Sequence, residues 1–248
     1  MKTLRVVGFG MGPHHLTWEA AEALTEADYV LAVRKSDDDA LLEVRRRICG
    51  EFGLELIEIT DPERDRNDPS DYPGAVRDWH RARVAAFAEE IEIQDGIGIF
   101  LVWGDPSLYD STLRIIEGLA ASIDLTWEVI PGISAPQILA ARHRIVLHEV
   151  GQPVQITTAR RLGSALAAGA QNLVVMLGSA QALEHLATPE LAEWQIWWGA
   201  NLGAVGERLV AGTVAAALPE IREAHAKAKQ EAGWVMDAYL LRAPVATR

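Results

Sequence analysis

Cysteine occurs once in the 248 residues, at Cys49, which excludes an internal disulfide and a cysteine-rich zinc site. Its helical surroundings make it a buried structural thiol rather than a nucleophile. Long apolar runs are also missing. Residues 209 to 218 come closest, and Gly212 and Thr213 interrupt them well short of the roughly 18 residues of a membrane span. The N-terminus passes from Lys2 and Arg5 straight into a short strand, without the apolar core or cleavage site of a secretory signal, so the chain reads as cytoplasmic. Positive charge is in deficit: 23 Lys and Arg against 35 Asp and Glu give a net charge of −12, which argues against general affinity for nucleic acid or anionic membranes. Low-complexity tracts and the common repeat signatures are absent.

What remains is an ordinary globular composition, 49% hydrophobic and 23% charged, in a chain long enough for two domains of roughly 100 to 150 residues. Strands and helices alternate. Strands are expected at 4 to 8, 29 to 33, 54 to 59, 98 to 103 and 127 to 130. Helices are expected at about 17 to 25 with Thr17 as cap, 39 to 49, 75 to 91 and 111 to 121. Residues 60 to 74, rich in Pro and Asp, read as a loop long enough to be functional or mobile. This pattern predicts an α/β domain over residues 1–145 with a mostly parallel sheet. Strands at 154 to 157, 173 to 177, 195 to 198 and 235 to 241 predict a second α/β domain over 146–248 with a mixed sheet. A further strand at 208 to 211 would pair with the preceding one across the turn at 203 to 206. Pro219 suits the first turn of a helix running to about 232, and Gly233 suits its end. Among the tryptophans, alternation would put Trp194 and Trp198 on one strand face and Trp197 on the other.

Gly8, Gly10 and Gly12 follow the first strand, but the last glycine of a dinucleotide fingerprint would fall on Pro13. The acidic residue expected after the second strand is replaced by Arg34 and Lys35, with Asp37 reachable only in the loop. A nicotinamide-dependent oxidoreductase is thereby disfavoured, and the cluster is read as a close-approach loop. His14 and His15 are adjacent and do not share a helix face as paired metal ligands would; no metal site is expected. Gly104, Asp105 and Pro106 end an apolar strand, at the sheet edge where α/β folds bind ligands. Basic clusters at Arg45 to Arg47, Arg81 with Arg83, Arg142 with Arg144, and Arg160 with Arg161 offer local positive charge, although solvated helix faces account for most of them.

Taken together, Gly8-Phe9-Gly10-Met11-Gly12, Gly104-Asp105-Pro106-Ser107-Leu108-Tyr109, Ile130-Pro131-Gly132-Ile133-Ser134-Ala135 and Val175-Met176-Leu177-Gly178 resemble the tetrapyrrole (corrin/porphyrin) methylase family in order and spacing, over nearly the whole chain. The stretches around Asp78-Trp79-His80, Phe100 to Arg114, Ala140 to Ile145 and Gly233 to Arg242 resemble the branch that methylates precorrin-5 at C-1 with loss of acetate. The resemblance implies two α/β domains with the active site in the cleft between them, a homodimer, an anionic tetrapyrrole substrate, and S-adenosylmethionine as methyl donor. By position it places cofactor contacts on Met11, Trp103, Gly104, Asp105, Leu108, Ser134, Ala135, Met176 and Leu202. Met11 stands where relatives often carry proline, and Leu202 where a glycine is common. A sibling methylase of another precorrin position and a non-catalytic tetrapyrrole carrier are the competing readings.

The implied chemistry asks for particular groups. Methyl transfer needs in-line placement, for which strand-end carbonyls and apolar walls suffice. Acetyl loss needs water to add to a carbonyl, hence a proton-transfer group; Asp105, His80 and His143 are the candidates. Acetate and propionate arms call for guanidinium forks, expected at Arg142 and Arg144.

Overall fold

The computed structural model describes residues 1–34, 40–62 and 72–244. Lys35, Asp37 and most of the loop expected at 60 to 74 lie outside the described residues. The chain divides into two compact units, Met1–Ser134 and Ala135–Arg248.

The first unit contains β1 (Lys2–Gly8), α1 (Trp18–Thr25), β2 (Tyr29–Arg34), α2 (Ala40–Phe52), β3 (Glu55–Thr60), α3 (Tyr72–Ile93), β4 (Ile97–Val102), α4 (Thr112–Ala120) and β5 (Leu125–Ile130). Its five strands lie in the order β3-β2-β4-β1-β5, and all pairs are parallel. The middle strand, β4, is apolar throughout because both sheet faces are covered. Alternate residues feed two cores: Leu4, Val6, Phe100 and Val102 pack on one face with α3 and α4 residues, while Val7, Ile99 and Leu101 pack on the other with α1 and α2 residues. Full burial of such side chains stabilises by roughly 1.5–3 kcal/mol each. Thr17 caps α1 as expected, its Oγ1 accepting the Ala20 N–H at 3.1 Å. Cys49 is buried in one of these cores, and burial pushes its thiol up to about 11.

The second unit contains α5 (Ala135–His143), β6 (Gln155–Thr158), α6 (Leu162–Ala167), β7 (Asn172–Met176), α7 (Ala180–Glu184), β8 (Gln195–Ala200), β9 (Arg208–Thr213), α8 (Val214–Ala232) and β10 (Asp237–Arg242). The sheet order is β6-β7-β10-β8-β9. It is mixed: β6 runs parallel to β7, whereas β10 is antiparallel to β7 and β8, and β8 to β9. Trp198 is fully buried and Trp194 packs on the same core, while Trp197 points to the other face, under the Arg242 guanidinium at 5.3 Å.

Two expectations need correction. In the second unit α5 packs on β8, β9 and β10. That helix is itself absent from the sequence reading; Pro131 and Gly132 ahead of it and Arg142-His143-Arg144 at its end disguised a buried run containing Ile138 and Leu139. Pro219 does not open α8 but lies inside it. The helix starts at Val214, directly off β9, and the packing of Val214, Ala217 and Leu218 into the core outweighs the missing proline N–H.

Candidate active site

In the first unit the three landmark loops meet at the carboxyl ends of β4, β1 and β5, which are neighbours in the sheet. Gly10 and Gly104 form an isolated antiparallel bridge, with N–H···O contacts of 3.2 and 2.8 Å. Both have a positive φ, +74° and +72°, which glycine adopts without strain. The loops are in direct backbone contact. A Cβ placed on Gly132 would lie 2.1 Å from the Gly104 carbonyl oxygen, and one on Gly8 would lie 2.6 Å from the Gly132 nitrogen. The glycines are therefore required by the approach of loop to loop.

Asp105 staples this knot. One carboxylate oxygen accepts the Gly132 N–H at 2.9 Å and the other accepts the Ser107 N–H at 2.9 Å and the Ser107 hydroxyl. Partial burial acts to raise its pKa, but those donors from Ser107 and Gly132 outweigh it and hold the carboxyl below its usual value. Both oxygens are thus engaged and the group stays ionised. Met11 and Ser134 are buried beside Gly104, and Trp103 meets Phe9 edge-to-face at 5.5 Å. The Leu108 N–H closes the turn onto the Asp105 carbonyl at 3.2 Å.

In the second unit Ala135 is buried at the start of α5, and Met176 ends β7 half-buried. Leu177 follows at φ +55° and is 52% exposed, an apolar side chain in a left-handed turn. Leu202 is 1% exposed, its side chain turned onto Gly199, so what it offers a ligand is backbone. Sequence reasoning missed the two residues that organise these turns. Asn201, buried and at φ +48°, donates its backbone N–H to the Met236 carbonyl at 2.8 Å while its side chain accepts the Met236 N–H at 2.9 Å and donates to the Trp234 carbonyl at 3.2 Å. Asp237, 3% exposed, accepts the Trp198 indole N–H at 3.0 Å. Burial pushes its carboxyl up, offset in part by that indole and by His225. Its other oxygen lies so close to Gly178 that a Cβ there would be 2.0 Å away. The sequence signals were an Asn just past a strand end and a glycine after Leu177.

The other candidates are dispersed. His80 lies on α3 beside Trp79, ring centroids 5.0 Å apart. His143 ends α5 with Nε2 at 3.0 Å from the Trp198 carbonyl; a carbonyl only accepts, so Nε2 carries the proton. Arg142 is paired with Glu207 at 2.9 Å, and Arg144 is exposed at φ +56°. Of the basic run on α2, Arg46 pairs with Glu43 and Glu58 and Arg47 with Glu51, as solvated helix positions do. Arg45 differs: it is half-buried and donates to the carbonyls of Leu101 at 2.9 Å and Leu41 at 3.1 Å.

The loop set suits a sulfonium donor. Between Trp103 and Leu108 the only charged side chain is the ionised Asp105, and the one other polar side chain, the Ser107 hydroxyl, is given to it; in the second unit an apolar, left-handed turn at Leu177 can line an adenine.

Comparison with known proteins agrees with these features. The model of the tetrapyrrole (corrin/porphyrin) methylases matches residues 3–218. A precorrin-6A synthase (deacetylating) from Sinorhizobium sp is 41% identical over 254 residues, covering 98% of this chain and 95% of that protein. A crystal structure of a cobalamin synthesis related protein (CobF) from Corynebacterium diphtheriae matches with a TM-score of 0.81 at 37% identity, covering 98% of both chains. A uroporphyrin-III C-methyltransferase from Thermus thermophilus, solved with S-adenosyl homocysteine, matches with a TM-score of 0.61 at 18% identity over 97% of each chain, a likeness of fold.

Proposed function

This chain belongs to the tetrapyrrole (corrin/porphyrin) methylases, and from that premise we propose that it is an S-adenosylmethionine-dependent C-methyltransferase acting on precorrin-5. It methylates C-1 and removes the acetyl group as acetate, giving precorrin-6A on the aerobic route to cobalamin. The observation that carries this reading is the 41% identity, over 98% of the chain, to a protein named for that reaction. The glycine-loop knot with its ionised staple, Asp105, supports the choice of donor.

When bound, S-adenosylmethionine supplies an electrophilic methyl group, and its sulfonium leaves as the neutral thioether. The chain's part is placement. Trp103, Gly104 and Leu108 offer strand-end backbone and an apolar wall, with Met11, Ser134, Ala135, Met176 and the Leu202 backbone as the remaining contacts. Asp105 acts by holding the loops and by its negative charge near a cationic donor; with two oxygens already hydrogen-bonded and its pKa lowered, it is a poor proton acceptor. Proton transfer for addition of water to the acetyl carbonyl then falls to His80 or His143. Water adds to the acetyl carbonyl and the C-1–acetyl bond breaks, leaving its electron pair in the conjugated ring; acetate departs, and C-1 bonds the methyl group whose bond to sulfur is broken. Arg144 and, after exchange from Glu207, Arg142 are candidate partners of substrate carboxylates. We further propose that the enzyme is a homodimer and works in the cytoplasm, in keeping with its family; among the described residues no helix is long and apolar enough to cross a membrane.

Incubation of the protein with precorrin-5 and S-adenosylmethionine tests this reading by product mass and released acetate. Methyl gain without acetate reassigns it to another precorrin position. S-adenosylhomocysteine at a hundred times its Kd is expected to stabilise the protein by about 2.7 kcal/mol, and a melting shift with NAD instead overturns the donor assignment. Of His80→Gln and His143→Gln, the variant that loses acetate release while still binding S-adenosylhomocysteine identifies the proton-transfer group; sedimentation measures the oligomer.

A further inference from the structure

One strand over from the glycine knot, the carboxyl ends of β2 and β4 open into a cavity of about 290 Å³, walled by α2, α3 and the start of α4. None of the residues expected to bind cofactor or substrate lines it, yet its chemistry is specific. Among the described residues three arginines, Arg45, Arg83 and Arg114, line it against one carboxylate, Asp110, in a chain of net charge −12.

These groups are not equivalent. Arg83 is neutralised by a bidentate pair with Asp61 at 2.7 and 2.9 Å and lies 3.9 Å over the Trp79 ring, so it builds the wall. The Asp110 carboxylate accepts the Thr112 N–H at 2.6 Å at the start of α4. Arg45 is fixed in place by its bonds to the Leu101 and Leu41 carbonyls. Arg114 is exposed; its guanidinium reaches only the Asp110 carbonyl at 3.5 Å, and among the described residues no carboxylate lies within ion-pair distance of it. Beside it, Tyr109 is held at φ +53° with its ring 47% exposed, an arrangement that costs backbone energy for a bulky residue and recurs at ligand sites.

We propose that this cavity receives a carboxylate arm of the tetrapyrrole, with Arg114 as its bidentate partner, Arg45 as a fixed second positive charge, and Trp79 and Tyr109 as the aromatic wall. The inference rests on the tetrapyrrole reading given above. Size supports an arm rather than the whole ligand: about 290 Å³ lies at the bottom of the roughly 300–1,000 Å³ range of complete small-molecule sites, and a macrocycle needs far more. Position supports it as well, since Leu101 and Tyr109 on the cavity wall flank the Gly104–Leu108 loop in sequence. A guanidinium fork matches a carboxylate as an ammonium does not.

The test uses uroporphyrin III, which carries eight carboxylates, and its octamethyl ester, with binding read from quenching of tryptophan fluorescence. The wild type is expected to bind the acid and not the ester, with an affinity that falls as salt is raised. Arg114→Gln is expected to weaken acid binding about tenfold, Arg114→Lys to recover part of that loss, and both to bind S-adenosylhomocysteine as the wild type does. In turnover, KM for precorrin-5 rises in Arg114→Gln while kcat is kept. Equal binding of acid and ester, or an Arg114→Gln variant with unchanged affinity and KM, overturns the proposal. Failure of the wild type to methylate precorrin-5 at all would instead strike the parent reading, whatever Arg114 does.

Discussion

Two aspartates at strand ends, one in each unit, have been pushed in opposite directions. Asp105 follows β4 in a partly open loop and collects donors from Ser107 and Gly132, so its carboxyl is held low and ionised. Asp237 opens β10 almost sealed from water, with the Trp198 indole as its side-chain donor, so burial dominates and its carboxyl is raised. The number of donors, set against the depth of burial, decides the sign. The same contrast runs through the turns around them. The first unit shapes its ligand loops with glycine backbone locked to glycine backbone, whereas the second shapes its turns with buried side chains, Asn201 and Asp237.

The contrast breaks hardest at Gly132. Gly132→Ala drives a Cβ to 2.1 Å from the Gly104 carbonyl, and since that neighbour is backbone it cannot swing away. A loss of about 3 kcal/mol in urea unfolding is expected, the upper end for overpacking, together with loss of S-adenosylhomocysteine binding. Gly50 on α2 is the control in the same unit: nothing lies within 4 Å of its would-be Cβ, and Gly50→Ala in a helix is expected to gain about 0.5–1 kcal/mol. If both variants melt alike, the interlocked loops are not what shapes the site.

Exchanging each aspartate for asparagine separates the two next. Asp105→Asn removes a carboxylate from its donors and is expected to cost about 1 kcal/mol at neutral pH, a figure kept small because the group is partly solvated. A carboxyl with a lowered folded pKa contributes stability that is present above its unfolded pKa and lost as pH falls through the folded value, so the variant and wild type should converge in acid. Asp237→Asn runs the other way. A raised folded pKa means that the native state holds its proton more tightly, and stability falls as pH rises from the unfolded carboxyl value to the folded one. Asn keeps an acceptor for Trp198 without the buried charge, so this variant is expected to equal the wild type in acid and to exceed it increasingly above. Thermal melts of both pairs across pH 3 to 8 read the crossing slopes, and parallel slopes would refute the opposite shifts.

How much of this was legible in the sequence follows the same division. The first unit was readable because its signals are local: apolar runs five or six residues long for the strands, Thr17 for a cap, and glycines for close approach. The pattern Gly8, Gly104 and Gly132 could be aligned with a family without knowing that the three touch. The second unit gave up its strands, the β8–β9 hairpin and Gly233, which ends α8 at φ +76°, but not α5, the true start of α8, or the Asn201 and Asp237 networks. Those depend on partners 33 to 39 residues away, and nothing in an Asn after Ala200 or an Asp before Ala238 announces its partner. Arg45 was hidden for a related reason: Arg45-Arg46-Arg47 reads as one solvated face, and the Leu101 carbonyl that receives the first of them lies 56 residues away in sequence.

Leu177 offers the smallest effect and the sharpest division between stability and function. A non-glycine residue in the left-handed region costs roughly 1–2 kcal/mol, and Leu177 bears that cost at φ +55° while leaving half its side chain in solvent, where it contributes little to the core. Leu177→Gly is therefore expected to stabilise the protein by a few tenths to about 1 kcal/mol in denaturant titrations, after the added freedom of the unfolded chain is offset. If the second unit presents side chains to the methyl donor as the first presents backbone, the same variant weakens S-adenosylhomocysteine binding several-fold, a gain in stability at the expense of function. Stabilisation with unchanged affinity would mean that the Leu177 side chain does not meet the donor, and that backbone shapes the donor site in both units.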